Sequence, residues 1–244
     1  MHPNAHVTMA SIEQTHWWFV ARRMILRSEL GALSIPPAAR VLEIGAGTGG
    51  NLQMLSSFGK VCAVETSGVA REIARKRFRG ACEILAGSLP DHMPFASDRF
   101  DIICMFDVLE HIENDVGALR KVRTLMSDGG RVILTVPAYP WLWSYHDEHL
   151  DHFRRYTKKV LTRTATDAGL RITRLTHFNG ILFPVVASIR LLGHLQIKFN
   201  NQEDRVPPAL INYALTAIFG LERYLLRVIT IPFGLSLLAV LETS

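Results

Sequence analysis

Cysteine is scarce in this chain of 244 residues: Cys62, Cys82 and Cys104 are the only three, and no two form a C-x-x-C pair. Each sits in an apolar, strand-like run. An odd, scattered set argues against a disulfide framework and points to reduced structural thiols in a cytoplasmic protein. Long hydrophobic runs are also missing. The C-terminal third is greasy, yet uncharged runs such as 206–221 fall short of the roughly 20 residues a spanning helix needs, so no transmembrane helix is expected. The start, MHPNAHVTMASIEQTHWW, has no basic segment followed by an apolar one, so no signal peptide is expected. Repeats and low-complexity tracts are absent. With 48% hydrophobic and 20% charged residues the chain is globular rather than disordered. Its net charge of +5 suits acidic ligands or an anionic membrane surface without choosing between them.

What is present is an alternation. The pattern over 11–33 predicts an N-terminal helix closed by Pro36-Pro37. Short apolar runs follow, RVLEIG, KVCAVE, CEILAG, FDIICMF and GGRVILTVPA, separated by helical segments at 51–58, 67–78 and 115–126. A long loop, then a helix at 157–168, a sixth strand LRITRLTHF and a final strand GLSLLAVLE complete the chain. This order predicts a doubly wound α/β fold, Rossmann-like, with a mostly parallel sheet of seven strands. Four regions are expected: an N-terminal helical lid at 1–37, a nucleotide-type core at 38–179, an apolar helical insertion at 180–231, and the last strand at 232–244. Ligands of such sheets lie beyond the carboxyl ends of the strands.

The first strand runs into VLEIGAGTGG, whose glycines fit two templates. Gly45, Gly47 and Gly50 spell the dinucleotide fingerprint G-x-G-x-x-G, while Gly45, Gly47 and Gly49 spell G-x-G-x-G, associated with S-adenosylmethionine (SAM). Glu65, at the end of the second strand, suits ribose hydroxyls in either case. Three features separate the readings. Glu43 precedes the loop, giving E-x-G-x-G-x-G. Asp107, Glu110 and His111 cluster just past the fourth strand in FDVLEH. No hydride-transfer site is evident, since YTKK lacks a Y-x-x-x-K spacing.

These segments resemble the class I SAM-dependent methyltransferases, in the group with a D-V-L-E-H motif. VLEIGAGTG resembles the family's first motif, AVETS its acidic second-strand end, FDIICMFDVLEHI its fourth-strand motif and LMSDGGRVILTVP its fifth. The match covers about 38–178 and the last strand. The resemblance implies SAM as cofactor: Gly45, Ala46, Gly47 and Gly49 at its methionine end with Glu43 organising the loop, Glu65 and Thr66 at the ribose, Ser88 and Leu89 beside the adenine, and Phe106 and Asp107 as the floor. Many relatives carry Asp where this chain has Ser88, so adenine contact there is weaker or comes from backbone. In HWWFVARR, Trp18 is expected to close over the sulfonium and Arg23 to meet the cofactor carboxylate, with Arg22 the alternative.

An acceptor with a weakly acidic hydroxyl also needs a base. His152, in YHDEHLDHFRRYT, is the first candidate as base or hydrogen-bonding partner, and His111 the second. His149, Arg155 and Tyr156 are expected to contact substrate. The bland alternative is that Arg154 and Arg155 pair with Asp147, Glu148 or Asp151 and pin the loop. His146, His149 and His152 with Asp147 match no standard metal motif, so no metal is expected. In 207–229, Ile211, Ala214, Leu215, Ile218, Leu221 and Leu225 share one helical face, and Asn212, Thr216, Arg223 and Arg227 another. Such a helix suits a membrane surface, a lipid-like substrate or a homodimer. Relatives include ubiquinone-type O-methyltransferases. The expectation is therefore methyl transfer, O-directed, to a small or lipid-like acceptor, by a cytoplasmic protein peripheral to a membrane. A catalytically inactive SAM-binding or membrane scaffold is the alternative. No nucleic-acid partner is expected, because the amino-directed class carries N/D-P-P-Y/F where this chain reads FDVL.

Overall fold

The computed structural model describes residues 3–184, 187–188 and 206–244. Seven strands form one sheet: β1 (Ala39–Ile44), β2 (Gly59–Glu65), β3 (Glu83–Ala86), β4 (Phe100–Phe106), β5 (Met126–Pro137), β6 (Leu170–Phe178) and β7 (Ser236–Thr243). Their order is β3-β2-β1-β4-β5-β7-β6. The first five strands are parallel, and β7 runs antiparallel between β5 and β6. Strand order reverses between β1 and β4, so the carboxyl ends of these two strands mark the ligand crevice.

The sheet is buried on both faces, and its side chains alternate with the two-residue period of a strand. In β4, Ile103 and Met105 join one core, whereas Ile102, Cys104 and Phe106 join the other. The same alternation runs through Leu237, Ala239 and Leu241 against Leu238 and Val240 in β7. Helices α5 (Asp115–Thr124) and α7 (Lys158–Asp167) cover the first face. The second face is covered by α2 (Trp17–Gly31), α3 (Leu52–Leu55) and α4 (Gly68–Phe78). Caps explain several starts: Ser67 accepts from the Ala70 N–H, Asn114 from Gly117 and Thr157 from Val160.

Two helical expectations change. The single N-terminal helix over 11–33 is two helices, α1 (Pro3–Ile12) and α2. The break falls at His16, whose backbone is extended and whose ring accepts from the Trp18 N–H. Glu13, in the bend, reaches across to Thr48 and Arg77. The later helix is also two, α8 (Ala209–Gly220) and α9 (Glu222–Val228). The apolar stripe chosen from its sequence faces outward: Ile211, Ile218, Leu221 and Leu225 are exposed. Asn212 is the docking residue, accepting from the Trp17 N–H at 2.8 Å and donating to the Thr15 carbonyl at 2.8 Å. Phe219 of α8 and Leu226 of α9 are fully buried. Glu222, fully buried, caps the chain after β6 by accepting from the Asn179 and Ile181 N–H groups. The preceding helix expected in the insertion lies mostly outside the described residues.

Candidate active site

The loop after β1 folds back on β2. The Gly45 and Ala46 N–H groups donate to the Val64 carbonyl at 2.8 and 3.1 Å. Glu65, buried at the end of β2, accepts from the Gly47 N–H at 2.8 Å and the Ser67 N–H at 2.7 Å, with the Thr66 hydroxyl at 3.2 Å. Its carboxylate therefore bridges two strand ends. Gly47 has a φ of +55°, and a Cβ there would meet no atom within 4 Å, so this side of the loop is open. Gly49 closes the turn by donating to the Ala46 carbonyl. Beside this loop, a cavity of about 300 Å³ is lined by Thr66, Ala86, Gly87, Ser88 and His92. Ser88 and His92 exchange backbone hydrogen bonds at 3.0 Å, which orients the loop, and Leu89 packs on the core.

Glu43 is fully buried beneath the loop. One oxygen accepts from the Asn51 side chain at 2.8 Å, and the other has no hydrogen-bond partner. It thus ties β1 to the start of α3 and leaves one buried oxygen without a partner. Burial pushes its pKa up to about 8, against the pull of Asn51 and Arg22.

The N-terminal helices cover this site. Glu13 accepts from the Thr48 hydroxyl at 2.5 Å and pairs with Arg77. A Cβ on Gly50 would overlap the Glu13 carboxylate. Gly50 is therefore small because Glu13 presses on it, a long-range reason that no local pattern carries. His6 of α1 is buried under the field of Glu65. Arg22 reaches the carboxyl end of β4: it pairs with Asp107 at 2.6 Å, donates to the Thr135 hydroxyl at 2.9 Å, and lies over Trp18 and Phe106 at 5.0 and 5.8 Å from their centroids. Trp18 is thus at the crevice, while Trp17 packs edge-on against Phe219. Arg23 is half-buried, among the charges of Glu13, Arg22 and Arg77.

The loop after β5 docks onto the turn after β4. Phe153 donates its N–H to the Glu110 carbonyl at 2.8 Å, and Arg154 binds the Glu113 carbonyl at 2.6 Å and pairs with Asp115 at 3.0 Å. Tyr156 is fully buried, its hydroxyl donating to Asp115 at 2.9 Å. Arg155 grips Asp147 through Nε at 2.7 Å and Nη2 at 2.9 Å and also reaches the Ala138 carbonyl. His152 Nδ1 shares the same carboxylate at 2.9 Å. Burial alone would raise the Asp147 pKa, but the His152 and Arg155 contacts outweigh it and hold the carboxyl well below the usual range. The His111 and His152 rings meet edge to face, 4.6 Å between centroids. Burial, and then His152, lowers the His111 pKa, favouring neutral imidazole. His111 and His152 therefore come together, as the sequence places them at one end of the sheet. His149 lies apart, exposed on α6 (Tyr145–His149) and stacked on Tyr145. Arg155 is committed to Asp147 inside the loop, the pinning alternative, and Tyr156 to Asp115 at the start of α5.

A model of the methyltransferase domain matches residues 16–175. The chain belongs to the methyltransferase-domain family. Among its relatives, the demethylmenaquinone methyltransferase of Mycobacterium marinum is 28% identical over 127 residues, 52% of this chain and 51% of that protein. The chain spans about half the length, or less, of the first curated relatives it matches. One chain of a complex between the Haloferax volcanii Trm112 methyltransferase activator and a methyltransferase has the same fold, with a TM-score of 0.64 at 17% identity, covering 96% of this chain and 92% of that one. NcsB1, an O-methyltransferase from neocarzinostatin biosynthesis solved with S-adenosyl-L-homocysteine, gives 0.53 at 18% identity, covering 70% and 52%. The fold and motifs are those of class I SAM-dependent methyltransferases, with SAM the implied cofactor. The residues fit it. Gly47 leaves open space, Glu65 presents a buried carboxylate at the carboxyl end of β2, and one Glu43 oxygen is buried without a partner.

Proposed function

We infer that the protein transfers a methyl group from SAM to the hydroxyl of an apolar, ring-bearing acceptor presented at a membrane surface. The observation that carries the reading is that the glycine loop and the His111–His152 pair lie beyond the carboxyl ends of neighbouring strands, β1 and β4. When bound, SAM supplies the methyl group and its own leaving group, so the chain needs chiefly to align, desolvate and deprotonate the acceptor. Glu65 and Thr66 would hold the ribose, Gly45, Ala46, Gly47 and Gly49 the methionine end, and Ser88 and Leu89 the adenine. Phe106 and Asp107 form the floor, with Trp18 and Arg23 on the N-terminal side. His152, its Nδ1 tied to Asp147, turns Nε2 to the acceptor, with His111 beside it. Aromatic rings cluster past the ends of β5 and β6: Tyr139 stacks on His177 at 5.2 Å, and Phe183 meets both Tyr139 and Phe233. That lining suits a planar, apolar ring, and the relative named for demethylmenaquinone supports the same acceptor class.

The outward face of α8 and α9 supports the membrane surface. Leu210, Tyr213 and Val228 are 80%, 74% and 84% exposed, beside Ile211, Leu221 and Ile229. Arg27 and Arg227 are exposed beside this face, where guanidinium groups would meet anionic headgroups. No helix among the described residues is long and apolar enough to cross a membrane. The test uses tritiated methyl-SAM with phenolic and hydroquinone acceptors, free or in anionic vesicles. Transfer to a quinol enhanced by vesicles, with co-sedimentation, is expected. Transfer independent of vesicles and no co-sedimentation would contradict the membrane reading and favour a homodimer on this face.

Glu43 adds a pH dependence. Its folded pKa, raised to about 8, keeps it protonated at neutral pH without cofactor. Pairing with the cofactor's ammonium would require deprotonation. SAM affinity should therefore rise by up to about tenfold per pH unit on approaching 8 from below, and fall above it as the cofactor's own ammonium loses its proton. Glu43→Gln should flatten the slope, as followed by calorimetry; an unchanged slope would exclude the pairing.

A further inference from the structure

Glu110, His111 and His152 bring one carboxylate oxygen and two ring nitrogens within 4.8 Å of one another. They come from two segments, the turn after β4 and the loop after β5, so no sequence spacing reveals them. One nitrogen on each ring is already tied, His152 Nδ1 to Asp147 at 2.9 Å and a His111 nitrogen to the Asp151 carbonyl. Ties of this kind fix the tautomer and leave the opposite nitrogen with a lone pair, the arrangement seen behind metal-ligating histidines. Glu110 is fully buried, and no other residue donates to either of its oxygens. A buried carboxyl so placed must either stay protonated or meet a cation. The nearest guanidinium groups are engaged elsewhere, Arg155 on Asp147 and Arg22 on Asp107.

We propose that this trio binds a divalent transition-metal ion through two imidazoles and one carboxylate. The mixed nitrogen and oxygen set suits Zn²⁺, Co²⁺ or Fe²⁺ and not Mg²⁺ or Ca²⁺, which prefer oxygen ligands. Bonds of about 2.0–2.2 Å place two ligand atoms ~3.4 Å apart at the tetrahedral angle, so the trio, within 4.8 Å, closes by up to ~1.4 Å on binding. The inference deepens the proposed function and rests on its reading that the histidine pair meets the acceptor hydroxyl. With an ion bound, the imidazoles act as ligands. The hydroxyl oxygen then bonds to the ion, its O–H bond breaks, the electron pair stays on oxygen and the proton passes to water.

The test strips the full chain with chelator and titrates it with Co²⁺, read by visible absorption and by metal content after dialysis. SAM calorimetry on the same samples reports the cofactor site separately. One Co²⁺ per chain is expected. Glu110→Gln should weaken binding at least tenfold while SAM affinity holds, and His111→Gln should do the same if the first variant fails to bind SAM. A SAM-competent protein that takes up no Co²⁺, or a Glu110→Gln variant that binds it as tightly as wild type, would overturn the proposal. Loss of SAM binding by the wild-type chain would instead strike the methyltransferase reading.

Discussion

Glu65→Ala should lower SAM affinity on the order of 100-fold, from two charge-assisted hydrogen bonds of ~1.5 kcal/mol or more each to the ribose. The same carboxylate already accepts from the Gly47 and Ser67 N–H groups, so its removal also loosens the glycine loop. Both effects weaken binding, and thermal unfolding separates them. A loop effect alone lowers stability by about 1–3 kcal/mol, the desolvation penalty of freed donors. Glu65→Gln keeps the shape but sets an amide against one backbone N–H, and should fall between wild type and alanine. Unchanged SAM affinity in the alanine variant would remove Glu65 from the site.

The largest stability loss should come from Asp147→Asn. Asp147 is fully buried and holds Arg155 by two hydrogen bonds and His152 by a third. The amide keeps the volume and removes the charge, leaving the Arg155 guanidinium buried without its counter-ion. Breaking one side of such a pair costs about 3–5 kcal/mol. For a chain of this size that lowers Tm by about 10 °C. The sign with pH follows from the lowered folded pKa. Asp147 contributes its stability above the ordinary carboxylate range, and the contribution is lost as pH falls through that range toward the lower folded value. The gap between wild type and variant should therefore narrow on acidification. A gap constant with pH would show that the carboxylate's charge is not what stabilises the loop.

The parts of the site legible in the sequence are those whose reason is local. The glycine loop, Glu65 at a strand end and the FDVLEH turn each follow from strand, turn and helix geometry within a few residues. The seven strands were legible because strands buried on both faces read as short apolar runs bounded by turn residues. What stayed hidden depends on contacts between distant segments. Gly50 is small because of Glu13, 37 positions earlier, and that contact exists only because α1 and α2 are separate helices. Arg155 and Tyr156 resemble substrate contacts in the sequence, yet their partners Asp147 and Asp115 absorb them. Glu110 reads as one acid in a motif, and its approach to His152 appears only when the two loops dock. The apolar stripe of α8 was legible as a face left for another surface, but the residue that turns it outward was not: Asn212 bonds the Trp17 N–H and the Thr15 carbonyl, a contact between distant segments.

The central claim is that the loop after β1, with Glu43 beneath it and Glu65 across it, is a SAM site. Titration calorimetry of the full chain with SAM, S-adenosyl-L-homocysteine and NAD tests it most directly. The account predicts one molecule of SAM or S-adenosyl-L-homocysteine bound per chain and no heat from NAD. Binding of NAD without binding of SAM would contradict it.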